Sequence, residues 1–294
     1  MIFSDTQLQE LTRLAIIAAR AAGHLINAHR DTGVEVHKKE TGTSTAAQVV
    51  TEVDYMAQAA ILAILQPLCD EYDLALLTEE SPDNGQRQQR PAFWSIDPMD
   101  GTLNFINGQP GFSVSIALVA KNGIPLLGVV YDPVEDNLYQ AVRHAGAYKN
   151  GEPLQIPERN PEQPLVLRTD SSFQTDPLLE KTLTGLKDVA QKLGLNSADI
   201  QYRTGAVLNA CGILEDPNIC YFKYPKPGGG SLWDYAATAC LYHEAGAIAS
   251  DIYGQSMELN RSDSTFMNHR GLLYANDQAL ADYIVALYRS ISQS

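Results

Sequence analysis

The chain is poor in positive charge. Its 294 residues carry 21 Lys and Arg against 35 Asp and Glu, a formal net charge of −14. Such a balance lacks the basic footprint of a nucleic-acid binder, and nucleic acid is not an expected partner. An acidic chain that handles small anions needs cations to hold them. Cysteine is scarce too. Cys69, Cys211, Cys220 and Cys240 show no C-x-x-C pair and no zinc-ligand spacing, so reduced, apolar core thiols are expected. Long apolar runs are missing. Arg13 and Arg20 bracket the stretch from Leu14 to Ala19, so neither a secretory signal nor a membrane span is expected, and the predicted location is cytoplasmic. There is also no GxxxxGK[ST] loop, no GxSxG elbow, and no cysteine followed six residues later by Arg.

Hydrophobic residues make up 45% of the chain, enough to build packed cores. Leu8, Leu11, Ala15, Ala18, Ala22 and Leu25 recur at helical spacing, predicting a helix from Asp5, read as its N-cap, to about Ala28. Residues 33–37 alternate like a strand and Thr41 to Ala47 reads as a loop. A second helix should begin near Thr51 and run towards Cys69, followed by a strand at Leu74 to Thr78. Short strands are then expected at Phe93–Ile96, Phe112–Ala120, Gly128–Tyr131, Asn137–Val142 and Ala147–Lys149, forming an antiparallel sheet. After Gly151 the rhythm changes. Helices are expected at Leu178–Leu193, Val207–Leu214 and Leu232–Ala245. Strands are expected at Ile200–Tyr202 and Ile219–Phe222, with Ala247–Ala249 the last. The prolines at 153, 157, 161 and 164 mark the expected boundary between an N-terminal domain, 1–152, and a C-terminal α/β domain, 153–294.

The chemistry concentrates at Asp97-Pro98-Met99-Asp100-Gly101-Thr102. Two carboxylates on a turn after a buried strand suit a hard cation such as Mg²⁺. Gly101 admits close backbone approach, and the free N–H groups where Thr102 opens a short helix suit phosphate. An EF-hand is excluded because Met99 and Gly101 occupy its third and fifth positions. Taken singly, Asp97 or Asp100 could cap the following helix, Glu79 or Glu80 could be solvated loop charges, and Asp234 could serve the helix dipole. Asp54, three residues after Thr51, reads equally as part of a capping box.

Together, in this order, the blocks resemble the inositol monophosphatase family of Mg²⁺-dependent, lithium-sensitive phosphatases. They are Val50-Thr51-Glu52-Val53-Asp54, Glu79-Glu80-Ser81, Trp94 through Phe105, Trp233-Asp234-Tyr235-Ala236-Ala237, and Glu244-Ala245-Gly246. The resemblance implies an α+β fold, a layered α/β/α/β/α sandwich of the inositol monophosphatase and sugar phosphatase type, assembled as a homodimer. It implies metal ligation by Glu79, Asp97, the Met99 carbonyl, Asp100 and Asp234, with two or three Mg²⁺ per site and Asp97 bridging. Glu79, Thr102 and Asp54 become the catalytic residues, directing attack of a metal-activated water on a small phosphate monoester. Gly101, Thr102, Lys223, Gly205 and Ala206 become the substrate contacts.

Departures from the pattern fall where the alcohol should sit. Inositol-type members place a glutamate between Tyr221 and Trp233; this chain has none, and an apparent insertion carries Lys223, Lys226 and three glycines. The segment resembles in part members that hydrolyse 3′-phosphoadenosine 5′-phosphate, whereas Asn209-Ala210-Cys211 resembles the inositol type. The lysines could contact a second phosphate or simply be solvated. Gly205-Ala206 stands for the usual Gly-Ser. A fructose-1,6-bisphosphatase-like enzyme and a non-catalytic, metal-dependent sugar-phosphate-binding protein are the rival readings.

Overall fold

The computed structural model describes residues 3–30, 36–38, 49–203 and 205–292. The expected loop at Thr41 to Ala47 and the first half of the strand expected at 33–37 lie outside them. Helix α1 (Asp5–His29) buries Leu8, Leu11, Ala15, Ala18 and Ala22. Its cap is Ser4 rather than Asp5. Ser4 Oγ accepts from Gln7 N at 3.3 Å and Gln7 Oε1 accepts from Ser4 N at 2.9 Å. This reciprocal box satisfies two donors, and Asp5 sits in the first turn where its charge meets the dipole. Strands β1 (Val36–Lys38) and β2 (Val49–Thr51) pair antiparallel and lead into α2 (Glu52–Tyr72).

Seven strands then form one sheet: β3 (Leu74–Thr78), β4 (Ala92–Asp100), β5 (Ser113–Ala120), β6 (Pro125–Asp132), β7 (Asn137–Val142), β8 (Gly146–Lys149) and β9 (Glu152–Pro153), with α3 (Thr102–Ile106) between β4 and β5. They lie side by side in chain order. The sheet is not wholly antiparallel as expected, because β3 and β4 run parallel, Thr78 opposite Ile96. The intervening loop of residues 79–91 reaches the dozen or so residues that a parallel crossover needs.

The second sheet takes β10 (Leu165–Thr169), β11 (Ala198–Tyr202), β12 (Ile219–Lys223), β13 (Ile248–Ser250) and β14 (Leu272–Ala275), in the order β11-β10-β12-β14-β13. It is mixed: β10 pairs parallel with β11 and β12, while β14 runs antiparallel to β12 and β13. Helices α4 (Leu179–Lys192), α5 (Ala206–Ile213), α6 (Leu232–Ala245) and α7 (Gln278–Ser292) complete the chain. Ala247–Ala249 is therefore not the last strand, since β14 and α7 follow.

Three cores define the layers. Leu11, Ile26 and Ile61 of α1 and α2 pack on one face of the large sheet with Trp94 and Ile116. On its other face, α5 and α6 fill the space to the small sheet, Ala236 and Tyr242 meeting Val130, Tyr221 and Tyr274. Helices α4 and α7 cover the far side through Leu186 and Ile284. The result is the expected α/β/α/β/α sandwich. Helix α6 lies so close to β6 that a Cβ on Gly128 would come within 2.4 Å of the Ala237 carbonyl. No helix among the described residues is long and apolar enough to cross a membrane.

Candidate active site

The parallel pairing of β3 and β4 sets the site. It brings their carboxyl ends together, so Glu79 follows Thr78 beside Asp97, with Glu79 N donating to the Ile96 carbonyl at 3.1 Å. Asp97 and Asp100 do not occupy a turn beyond the strand, as expected, but its irregular end. Asp97 faces Ser115 and Asp100 faces Ser113, so the β4 side carries an extra residue. Pro98 has no N–H for the ladder, and Met99 N is diverted to Asp97 Oδ1 at 3.0 Å. The bulge turns both carboxylates to one cavity.

Asp234 arrives from the first turn of α6, where it forms a capping box with Ser231; Ser231 N donates to Asp234 Oδ2 at 2.9 Å. Gly230 is required there, since a Cβ would lie 2.1 Å from Tyr235 Oη and 2.6 Å from Asp234 Oδ2. One oxygen from each of Asp97, Asp100 and Asp234 falls within 4.8 Å of the others. Burial, then the charges of Glu79, Asp100 and Asp234, push the Asp97 carboxyl well up. Burial also pushes Asp100 up to about 6, against the pull of the Val207 and Ala206 N–H groups. Asp234 rises through burial and the charges of Asp100 and Glu79. Carboxylates this close cannot all ionise unaided. A hard divalent cation removes the conflict, and this all-oxygen donor set fits one.

Beside the cluster stands a second arrangement. Asp54 Oδ2 accepts from Thr51 N at 2.7 Å and Thr51 Oγ1 at 2.6 Å, the capping box of α2. Its Oδ1 lies 3.1 Å from Thr102 Oγ1, which is also 3.1 Å from the Met99 carbonyl. The two readings of Asp54 thus coexist: one oxygen caps a helix, the other holds Thr102. Helix α3 is a single turn, so its dipole is small, but its first N–H groups have no intrahelical acceptor. Gly101 precedes it at φ +88°, and a Cβ there would lie 2.4 Å from the Gly111 carbonyl.

Gly205 reaches the same carbonyl from the other side, its absent Cβ 2.7 Å away. Gly111 O is held by Asn104 Nδ2 at 3.0 Å. That shared contact docks the start of α5 onto the acidic bulge. Ala206 N and Val207 N donate to Asp100 at 3.2 and 3.0 Å. Ala206 therefore spends its N–H on Asp100 and meets the cavity as a wall.

Glu79, Asp97, Asp100, Thr102, Ala206 and Asp234 line a single cavity of about 960 Å³, which Asp54 meets only through Thr102. Lys223 lies in it as the last residue of β12 rather than in an inserted loop. Its Nζ is 3.1 Å from Asp170 Oδ2. Asp170, Arg203 and Asn268 also line the cavity and were not singled out from sequence. No local pattern marks Asp170; only the parallel pairing of β10 with β12 brings it to Lys223.

The family model described as "Inositol monophosphatase family" matches residues 7–293. An inositol-1-monophosphatase of Synechocystis is 32% identical over 255 residues, 85% of this chain and 81% of that one. A protein named Nus factor SuhB from Haemophilus influenzae is 30% identical over 244 residues, 83% of this chain and 86% of its own length. Among solved structures, an IMPase of Thermotoga maritima superposes with a TM-score of 0.72 at 24% identity, covering 97% of this chain and 98% of that one. Motif order, layered fold and clustered carboxylates agree with these likenesses, and the chain belongs to the inositol monophosphatase family.

Proposed function

We propose that the protein is a Mg²⁺-dependent phosphoric monoester hydrolase. Its substrate is a small phosphate monoester of the inositol monophosphate or 3′-phosphoadenosine 5′-phosphate kind. The observation that carries this reading is the Asp54–Thr102 contact of 3.1 Å beside the Asp97, Asp100 and Asp234 cluster. A protein that only binds a metal and a phosphate has no use for an oriented hydroxyl there. The Synechocystis relative, named an inositol-1-monophosphatase, lends the same support.

Asp97, Asp100 and Asp234, with Glu79 and the Met99 carbonyl, would hold the Mg²⁺. Bound there, the cations supply positive charge to the phosphoryl oxygens and acidify water. The rest falls to the chain. With its proton donated to Asp54, Thr102 Oγ1 presents lone pairs to the cavity and accepts a hydrogen bond from the attacking water. That fixes the water's line of approach and gives its proton a path. The backbone N–H groups of Gly101 and Thr102 face the phosphoryl oxygens. The two-domain division at residue 152 belongs to the same proposal. The segment up to Pro153 carries Glu79 on the loop after β3 and Asp97 and Asp100 on β4, and α6 crosses from the C-terminal half with Asp234.

Phosphate release from inositol 1-phosphate, 3′-phosphoadenosine 5′-phosphate and fructose 1,6-bisphosphate, with and without Mg²⁺, tests the reading. Mg²⁺-dependent release from one of the first two supports it. Release from fructose 1,6-bisphosphate alone would move the protein to the sugar bisphosphatases, and none at all would leave a binding protein.

A further inference from the structure

Seven carboxylates line the cavity, and among the described residues its cationic side chains are Arg203, Lys223 and Lys226. All three belong to one place in the fold. Strands β11, β10 and β12 are neighbours and run parallel, so their carboxyl ends make a common edge. Arg203 follows β11, Asp170 follows β10, Lys223 ends β12, and Lys226 lies just beyond. Such edges are where parallel sheets open a crevice for ligands.

Lys223 is fixed there, its Nζ 3.1 Å from Asp170 and 5.8 Å from the Tyr221 ring centre, with 15% of its side chain exposed. Three cations less Asp170 leave a surplus of two positive charges on an otherwise acidic wall. One further group lacks partners there. Asn268 is fully buried, lines the cavity, and has neither Nδ2 nor Oδ1 hydrogen-bonded. A buried amide left unpaired is costly, and an anion can accept from Asn268 Nδ2 while it meets the three cations.

The geometry points to a second anion subsite at the carboxyl edge of β11, β10 and β12, held by Arg203, Lys223 and Lys226, so that the substrate is a phosphate monoester carrying a further anionic group, phosphate or carboxylate. A neutral polyol phosphate leaves this edge unused. The inference rests on the hydrolase reading for the reacting phosphate, while the subsite itself is a claim about binding.

Matched ligand pairs test it. One pair is 3′-phosphoadenosine 5′-phosphate and 3′-AMP; the other is 2-phosphoglycerate and glycerol 2-phosphate. Calorimetric titration of the full chain with Ca²⁺ in place of Mg²⁺, a hard cation that acidifies water less and so slows turnover, should show the bis-anionic member of at least one pair binding about tenfold tighter. Which pair discriminates tells phosphate from carboxylate. Arg203→Gln should bring the ratio towards one, with Arg203→Lys restoring part of it. Lys223→Gln combined with Asp170→Asn, which avoids stranding Asp170, should do the same. A ratio near one in the wild type overturns the subsite. So does a ratio that survives both variants. Phosphate release with Mg²⁺ is read in parallel. Equal binding with release overturns the subsite and keeps the hydrolase; a binding ratio near ten without release does the reverse.

Discussion

Asp100 caps a helix that begins more than a hundred residues later: Val207 N donates to Asp100 Oδ2 at 3.0 Å. A candidate metal ligand from the large sheet thereby also fixes the start of α5. Removing it has two separable consequences. Asp100→Asn keeps an acceptor for the cap and loses a charge from the cluster. Mg²⁺-dependent turnover should fall by about 100-fold or more, with apo stability unchanged or raised. Asp100→Ala should lose about 1 kcal/mol relative to Asn, measured by urea unfolding in EDTA, because the cap is gone. Equal stability of the two variants would contradict the capping role.

The same carboxyl predicts a pH dependence. Burial holds Asp100 up to about 6 in the folded chain, above its usual value near 3.9. A group raised on folding stabilises at low pH, and its contribution is lost as pH rises through the folded value. In EDTA, the melting temperature of the wild type should therefore fall relative to Asp100→Asn between about pH 4 and pH 7. Mg²⁺ affinity should strengthen over that window, because protons compete for the ligands. A difference independent of pH would mean that Asp100 is ionised throughout.

Thr102 should be separable from the metal. Thr102→Val is expected to lower kcat by about 100-fold while Mg²⁺ binding, followed by calorimetry, changes little. Thr102→Ser should recover most of the rate, since the hydroxyl is the working part. Asp54→Asn should lower both rate and stability, because Asp54 also caps α2.

The loop that carries Glu79 is latched at a distance. Arg87, 3% exposed, donates to Asp83 at 2.8 Å, Asn260 Oδ1 at 2.6 Å and the Arg261 carbonyl at 2.6 Å. Arg87→Ala should destabilise the protein by about 2 kcal/mol and raise the Mg²⁺ concentration needed for half-maximal rate. An unchanged Mg²⁺ requirement would show that the latch serves stability alone.

Burial makes the thiols poor nucleophiles. Cys69 is pushed up to about 11 and Cys220 to about 12, with Cys211 and Cys240 also raised. Iodoacetamide at pH 7.5 should label the native chain slowly and the urea-unfolded chain fast. Rapid labelling of a native thiol would show an opening that the packed fold does not suggest.

Local pattern made much of this legible. Helical spacing announced α1, and the acidic block announced Asp97 and Asp100. What it missed was either overlooked or non-local. Leu280, Ala281, Ile284, Val285, Tyr288 and Ile291 of α7 recur at helical spacing and could have been found. The parallel pairing of β3 with β4, which brings Glu79 to Asp97, depends on the path of a long loop that no periodicity records. Asp170 and Arg87 likewise gain meaning only from partners far along the chain.

The most direct measurement is a Mg²⁺ titration of phosphate release by the wild type and by Asp97→Asn, on the substrate the panel selects. A saturable rise is expected in the wild type, abolished by EDTA, and the variant should stay folded but release little phosphate at any Mg²⁺ concentration tested. Wild-type rates that survive EDTA, or an Asp97→Asn variant that matches the wild type at low Mg²⁺, would contradict it.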